Sequence, residues 1–105
     1  MDDILQEISP RDVYEHLEKY TIVDVRSEDE RLQSRIESSI HIPLDQLSSR
    51  LDELQSIQTT IICQCRSGYR SSLACTLLRE RGILALNMRG GLIAWGNAGL
   101  PTINV

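Results

Sequence analysis

A cysteine that opens a short polar loop is the part of this sequence whose residue types can do covalent chemistry. Cys65 comes directly after an apolar, β-branched run at residues 59–64. Arg66 follows it at once, and Arg70 comes four residues later. Gly68 lies between the arginines and supplies the backbone freedom that a tight loop requires. The segment predicts a nucleophilic thiol at the C-terminal end of a strand, where ligands bind in open α/β sheets.

The same loop predicts a binding site for an anion. A loop that curls in front of a helix turns its backbone N–H groups inward, and the helix dipole adds to their positive potential. Such surroundings can lower the pKa of a thiol from about 8.5 to about 3.5–7.5. We therefore expect Cys65 to be the catalytic residue. The predicted substrate-binding residues follow it in the loop: Arg66, Ser67, Gly68, Tyr69, Arg70 and Ser71. The alternative, a buried and inert cysteine, leaves the glycine and the two arginines without an explanation.

The charge distribution favours a small anionic ligand over nucleic acid. The chain carries a formal net charge of −4, which argues against nucleic acid as a partner. Residues 65–89 nevertheless contain five arginines and one glutamate. Positive charge is thus concentrated around the cysteine.

Length and cysteine usage predict one domain in a reducing compartment. A chain of 105 residues has a common size for one domain, and we expect it to span residues 1–105. Three cysteines are too few and odd in number for a disulfide framework. The acidic N-terminus does not resemble a signal peptide, and no apolar run approaches the ~20 residues of a membrane span. We expect a cytoplasmic monomer without membrane contact.

Strand patterns alternate with helix patterns along the chain. Short apolar and β-branched runs predict strands at residues 21–25, 40–42, 59–64 and 83–88. Helical spacing or helix-end signals mark segments that begin at Ser9 and Gly90 and segments at 27–35, 44–54 and 71–81. This alternation predicts an α/β fold with a mainly parallel central sheet flanked by helices on both faces.

Four motifs in order resemble those of the rhodanese family, and the resemblance covers nearly the whole chain. Residues 65–71, CRSGYRS, are similar to the active-site loop of the family, and residues 22–26 resemble its first strand. Residues 35–43 resemble its segment that ends in Ile-Pro. The C-terminal signature is matched by Gly90, Gly91, Leu92 and Trp95, followed by residues 99–101. In the third motif Arg35, Ser38 and Ser39 replace the usual His, Gly and Ala, a departure that concerns backbone geometry rather than chemistry.

The resemblance implies a rhodanese-like fold and sulfurtransferase activity without a metal or a cofactor. In such enzymes a cysteine takes the outer sulfur of a donor such as thiosulfate, sulfite leaves, and a persulfide remains. A thiophilic acceptor, which is cyanide, a thiol or a protein, then removes the sulfur. By this resemblance Cys65 carries the persulfide. Arg66, Arg70 and the amides of residues 67–71 would stabilise charge on the donor and on the leaving group.

Two other functions stay open on the sequence alone. A cysteine phosphatase also cradles an anion after a cysteine, but its Cys-x5-Arg spacing would require arginine where this chain has Ser71. A catalytically idle rhodanese-like module that binds anions or partners is the second alternative. Such modules commonly lose the cysteine, whereas this chain keeps Cys65.

The remaining reactive or charged residues near the loop are expected to be structural. Cys63 and Cys65 form a C-x-C, which is not the C-x-x-C of a redox pair or a zinc site. Cys63 is predicted to face the core from a strand, and Cys75 from a helix. A resolving-thiol role for Cys63 is the alternative. Asp24 and Arg26 are predicted to form an ion pair below the loop, with a direct role in the site as the alternative.

Overall fold

A five-stranded parallel sheet forms the centre of the fold. The computed structural model describes residues 6–104, so residues 1–5 and Val105 of the predicted domain lie outside the described residues. The strands are β1 (Glu7–Ile8), β2 (Tyr20–Asp24), β3 (Ser34–Arg35), β4 (Ile40–His41), β5 (Thr60–Gln64), β6 (Ala85–Met88) and β7 (Ile103–Asn104). The sheet has the order β1-β6-β5-β2-β4, and every neighbouring pair in it is parallel. β3 and β7 form a separate antiparallel pair.

Short helices connect the strands. They are α1 (Pro10–Glu15), α2 (Glu28–Gln33), α3 (Asp52–Gln55), α4 (Tyr69–Glu80) and α5 (Gly91–Asn97), together with 3-10 segments at Leu17–Lys19 and Leu44–Ser49. Serine side chains start two of the helices. The hydroxyl oxygens of Ser9 and Ser27 accept hydrogen bonds from the backbone N–H groups of Asp12 and Glu30.

Within residues 6–104 no helix combines the length and the apolar character that crossing a membrane requires.

The central strand β5 is buried on both faces, as its continuous apolar sequence predicts. Ile61 and Cys63 belong to a cluster that includes Leu78 of α4. Ile62, between them, belongs to a second cluster that includes Val13 of α1 and Trp95 of α5. Helices therefore pack on both faces of a parallel sheet, which confirms the predicted α/β fold.

The structure corrects the sequence prediction at one helix. Residues 44–54, predicted as one amphipathic helix, form the 3-10 segment Leu44–Ser49 and then the four-residue helix α3. The Ser49 hydroxyl donates to the Gln46 carbonyl three residues earlier, at 2.9 Å. Such local hydrogen bonds compete with a continuous helix. The leucine spacing nevertheless buries Leu47 and Leu54 as expected.

The N-terminus of α5 is docked onto the loop that contains the cysteine. Leu92 N donates to the Cys65 carbonyl at 2.8 Å, and Ile93 N donates to the Arg66 carbonyl at 3.0 Å. Gly91 permits this approach, because an added Cβ would lie 2.5 Å from the carbonyl carbon and oxygen of Arg66. The φ of Gly91 is +62°, which also favours glycine. Helix α5 thus fixes the position of the first loop residues.

Replacing Gly91 with alanine is expected to destabilise the protein by at least about 2 kcal/mol, from left-handed backbone strain and the clash with the loop. Gly96→Ala in the same helix is the matched control, since a Cβ there meets nothing within 4 Å. That control is expected to be neutral or stabilising by up to about 1 kcal/mol. Urea unfolding measures both, and equal stability of the two variants would contradict the proposed docking of α5.

Candidate active site

The Cys65 sulfur lies at the carboxyl end of β5, surrounded by hydrogen-bond donors of its own loop. Gly68 N donates to Sγ at 3.1 Å, and Ser71 N donates to it at 3.4 Å. The Ser71 hydroxyl oxygen lies 3.3 Å from Sγ. Only 1 % of Cys65 is exposed, so the sulfur sits at the bottom of the loop rather than on the surface. The predicted inward-turned amides are therefore present.

A left-handed glycine makes the loop turn. Gly68 has a φ of +112° and occupies the N-cap position of α4. With this turn, the chain reverses within three residues, and the 12-residue helix α4 starts with its N-terminus beside the sulfur. The positive end of the helix dipole therefore adds to the field of the amides.

These contacts favour the thiolate form of Cys65. Burial by itself raises the pKa of the thiol, because a buried charge is poorly solvated. Hydrogen bonds from the Ser71 hydroxyl and from the backbone amides of Ser71, Gly68 and Ser67 act in the opposite direction. Their combined effect is larger than that of burial, and the pKa of Cys65 lies below its ordinary value. This is the electrostatic environment of a nucleophilic cysteine.

Asn87, on β6, completes a closed ring of hydrogen bonds around the sulfur. The Ser71 hydroxyl donates to Asn87 Oδ1 at 2.5 Å, and Asn87 Nδ2 donates to the Gly68 carbonyl at 3.0 Å. Gly68 N in turn donates to Cys65 Sγ. Asn87 thereby binds both residues, Gly68 and Ser71, whose groups contact the sulfur. Asn87 is not among the residues predicted for the site, although a polar residue inside the apolar run of β6 is a detectable signal.

The Ser71 hydroxyl has one hydrogen and two neighbouring acceptors. When Cys65 is a thiol, its S–H can donate to the Ser71 oxygen while that hydroxyl donates to Asn87. When Cys65 is a thiolate, the hydroxyl can turn its hydrogen to the sulfur. Ser71 is thus a donor that becomes available to the ionised cysteine.

The two arginines of the loop differ in their surroundings. Arg66 is exposed and lines a surface cavity of about 300 Å³ between α2 and α5. Arg70 is partly buried, and its guanidinium donates two hydrogen bonds to the Glu30 carboxylate, at 2.7 and 2.9 Å. The predicted anion-binding Arg70 therefore already holds a carboxylate. Nothing in the sequence pattern indicates this partner, which lies 40 positions away along the chain.

The other predicted loop residues differ in their exposure. Ser67 is exposed, and Tyr69 is 71 % exposed. Ser71 is fully buried. Hydrogen bonds to the sulfur thus come from the turn of the loop at Gly68 and from its C-terminal end at Ser71, while the Tyr69 side chain faces solvent.

The other two cysteines lie in the core, as predicted. Cys63 on β5 and Cys75 on α4 are both buried and free. The hydrogen bond with Cys75 and burial raise the pKa of Cys63 well above its ordinary value. Cys63 is therefore held as a thiol.

A buried ion pair lies at the end of β2, the strand next to β5. Asp24, at the end of β2, accepts hydrogen bonds from the Arg26 side chain, the shortest at 2.8 Å, and from Arg31 at 3.2 Å. His41 Nε2 lies 2.8 Å from the Arg26 carbonyl. The predicted pairing of Asp24 with Arg26 is confirmed, and both residues are nearly fully buried.

Among residues 6–104 there is no cluster of three or more His, Cys, Asp or Glu side chains that could hold a metal ion.

Comparisons with known proteins agree on one family. The family model described as "Rhodanese-like domain" matches residues 9–98. A sulfurtransferase of Allochromatium vinosum is 37% identical over 87 residues, covering 82% of this chain and 80% of that protein. A putative sulfurtransferase of Bacillus subtilis is 30% identical over 94 residues, covering 87% of this chain and 90% of that protein.

Solved structures show the same similarity. A rhodanese-related protein of Thermoplasma volcanium superposes with a TM-score of 0.88 at 30% identity, over 93% of this chain and 97% of that chain. A thiosulfate sulfurtransferase of Pseudomonas aeruginosa superposes with a TM-score of 0.84 at 27% identity. In that case the match covers 93% of this chain and 20% of the other.

Replacing Ser71 with alanine is expected to raise the pKa of Cys65, because a hydrogen bond that favours the thiolate is lost. The ultraviolet absorbance of the thiolate, followed against pH, should then rise at higher pH than in the parent protein. Ser72→Ala is the matched control, since the Ser72 hydroxyl donates to the Tyr69 carbonyl and not to the sulfur. Both changes are made in a Cys63→Ala/Cys75→Ala background. Identical titrations of the two serine variants would show that Ser71 does not stabilise the thiolate.

Proposed function

The chain belongs to the rhodanese-like domain family, and from this premise we propose that it is a sulfurtransferase that carries the transferred sulfur on Cys65. Relatives named as sulfurtransferases support sulfur transfer in general. The observation that carries the assignment to Cys65 is the set of hydrogen bonds that Gly68 and Ser71 direct at its Sγ. A buried structural cysteine requires no such donors.

In the first step the Cys65 thiolate attacks the outer sulfur of a donor such as thiosulfate. A bond forms between Sγ and this sulfur, and the bond between the two sulfurs of thiosulfate breaks. The electron pair of the broken bond leaves with sulfite, and the persulfide keeps one negative charge. Charge and atoms balance without a proton, an oxidant or a reductant. The loop amides, together with the end of α4, would stabilise the charged outer sulfur about 2 Å beyond Sγ.

In the second step an acceptor attacks the outer sulfur of the persulfide. Cyanide forms a bond to this sulfur, the S–S bond breaks, and its electron pair returns to Cys65 as thiocyanate leaves. A thiol acceptor would take the sulfur in the same way and become a persulfide. The donors that lower the pKa of Cys65 also make its thiolate a better leaving group in this step.

The arginines and the cavity beside the loop suit a small anionic donor. Arg66 is exposed at the edge of the cavity of about 300 Å³, which Leu92 and Ile93 of α5 also line. A donor that enters from this side would meet the guanidinium before it reaches the amides. A reducing, cytoplasmic compartment fits this proposal, since free thiols persist there.

The alternative of an idle rhodanese-like module makes a different prediction about the donor. An idle module would bind thiosulfate without breaking its S–S bond, so no sulfite would appear on mixing. Cyanide added to protein that had been exposed to thiosulfate and then desalted would release no thiocyanate. The proposed enzyme releases thiocyanate in amounts comparable to the protein.

Replacing Cys65 with serine is expected to lower thiosulfate:cyanide sulfur transfer by at least about 1,000-fold, because the nucleophile is removed. The rate of thiocyanate formation is the measurement, and circular dichroism checks that the fold is kept. Cys75→Ala is the matched control: it also removes a buried thiol, yet Cys75 contributes no hydrogen bond to Cys65 Sγ in the structure. Undiminished turnover in Cys65→Ser would remove this residue from the mechanism.

A further inference from the structure

The ion pair between Glu30 and Arg70 joins α2 to the start of α4 across the candidate active site. Its two hydrogen bonds are parallel, Nη1 to Oε1 at 2.7 Å and Nη2 to Oε2 at 2.9 Å. Parallel bonding of this kind fixes the orientation of a guanidinium as well as its charge. Arg70 is therefore held toward α2.

Glu30 is itself held in place by its own helix. Its Oε1 accepts hydrogen bonds from Ser27 N at 3.1 Å and from the Ser27 hydroxyl at 3.0 Å, within the capping box of α2. Its backbone carbonyl lies 3.5 Å from Nη1 of the buried Arg26. The Glu30 carboxylate is thus held by its own helix as well as by Arg70, unlike the carboxylate of an isolated surface pair.

The pair carries full charges at neutral pH and lies within electrostatic reach of the sulfur. The hydrogen bond from Arg70 lowers the pKa of Glu30 to about 2. The pKa of Arg70 is raised, first by Glu30 and in smaller part by the charge of Cys65. Glu30 lines the cavity beside Arg66, and Arg70 lines a second cavity of about 440 Å³ on the other side. Each member of the pair therefore lines a cavity beside the loop.

The pairing changes the charge that a donor meets. Of the loop's two arginines, Arg70 is neutralised by Glu30, while Arg66 has no ion-pair partner among residues 6–104. Deeper in the site, Arg26 and Arg31 share the carboxylate of Asp24. A dianion at the loop is consequently attracted by about one loop guanidinium rather than two.

We propose that Glu30 determines donor specificity: by holding Arg70 in an ion pair, it makes the site favour a singly charged sulfur donor, such as an organic persulfide or thiosulfonate, over dianionic thiosulfate. This inference rests on the proposed sulfurtransferase function. In this proposal Glu30 acts through the charge of Arg70 and forms no bond to the donor.

The test uses two unreactive tetrahedral anions that differ in charge, sulfate and methanesulfonate. Each protects Cys65 against alkylation by iodoacetamide, a neutral reagent, and the protection gives an apparent dissociation constant without turnover. Glu30→Gln removes one negative charge, and the resulting change in interaction energy is proportional to the charge of the anion. The substitution should therefore tighten sulfate binding about tenfold and methanesulfonate binding about threefold. Glutamine is also accepted in a capping box, so α2 should form.

Glu28→Gln is the matched control. Glu28 is exposed in the same first turn of α2, and its substitution removes the same charge from a residue that is not paired with Arg70. It should change either constant by less than about twofold, since exposed charges at a distance are screened. Equal changes for the two anions in Glu30→Gln, no change, or weaker binding of both would overturn the proposal. Weaker binding of both would show that Glu30 merely positions Arg70.

Turnover measured on the same proteins separates this inference from the proposed function. Glu30→Gln should lower both KM values, and the factor should be about three times larger for thiosulfate than for methanethiosulfonate, a monoanionic donor. A parent protein that shows protection but never forms thiocyanate would contradict the sulfurtransferase function, while the protection ratios would still decide the charge selectivity. A turning-over enzyme with equal KM changes for both donors would overturn the role of Glu30 alone.

Discussion

The structure depends on one constraint: a sulfur that is almost fully removed from solvent must be stabilised by the backbone around it. Cys65 is 1 % exposed, and a thiolate at that position would be strongly disfavoured without hydrogen bonds. The turn at Gly68 directs amides at the sulfur, and the start of α4 adds its dipole. The Ser71 hydroxyl and the backbone amides of the loop therefore favour ionisation of Cys65 together, and the hydroxyl makes the largest single contribution.

The surrounding elements hold this loop in place from three directions. Asn87 on β6 binds the Ser71 hydroxyl and the Gly68 carbonyl, and α5 donates to the carbonyls of Cys65 and Arg66. From the side of α2, Glu30 holds Arg70. Under the proposed function, the amides and the Ser71 hydroxyl favour ionisation of the thiol, whereas the guanidiniums attract the sulfur donor. The preference for one sulfur donor over another could then change through the guanidiniums, while the thiolate keeps its hydrogen bonds.

Features that depend on local sequence were predictable, and contacts between distant segments were not. The burial of β5, the serine caps and the turn at Gly68 follow from residue types over a few positions. The loop itself indicates Cys65, because a strand, a glycine turn and a helix are consecutive in the chain. The partnership of Arg70 with Glu30 and that of Ser71 with Asn87 are set by the packing of α2 and β6 beside the loop. Strands of two residues, such as β1, are too short to show a periodicity.

The most direct measurement follows the outer sulfur itself. The protein is mixed with one equivalent of thiosulfate labelled in that sulfur, quenched without an acceptor and digested. We predict that the label appears on the peptide containing Cys65 in an amount equal to the sulfite released, and that cyanide added before digestion removes it as labelled thiocyanate. Label on the peptide of Cys75, label on any peptide of a Cys65→Ser variant, or no label on any peptide of the parent protein would contradict a persulfide on Cys65.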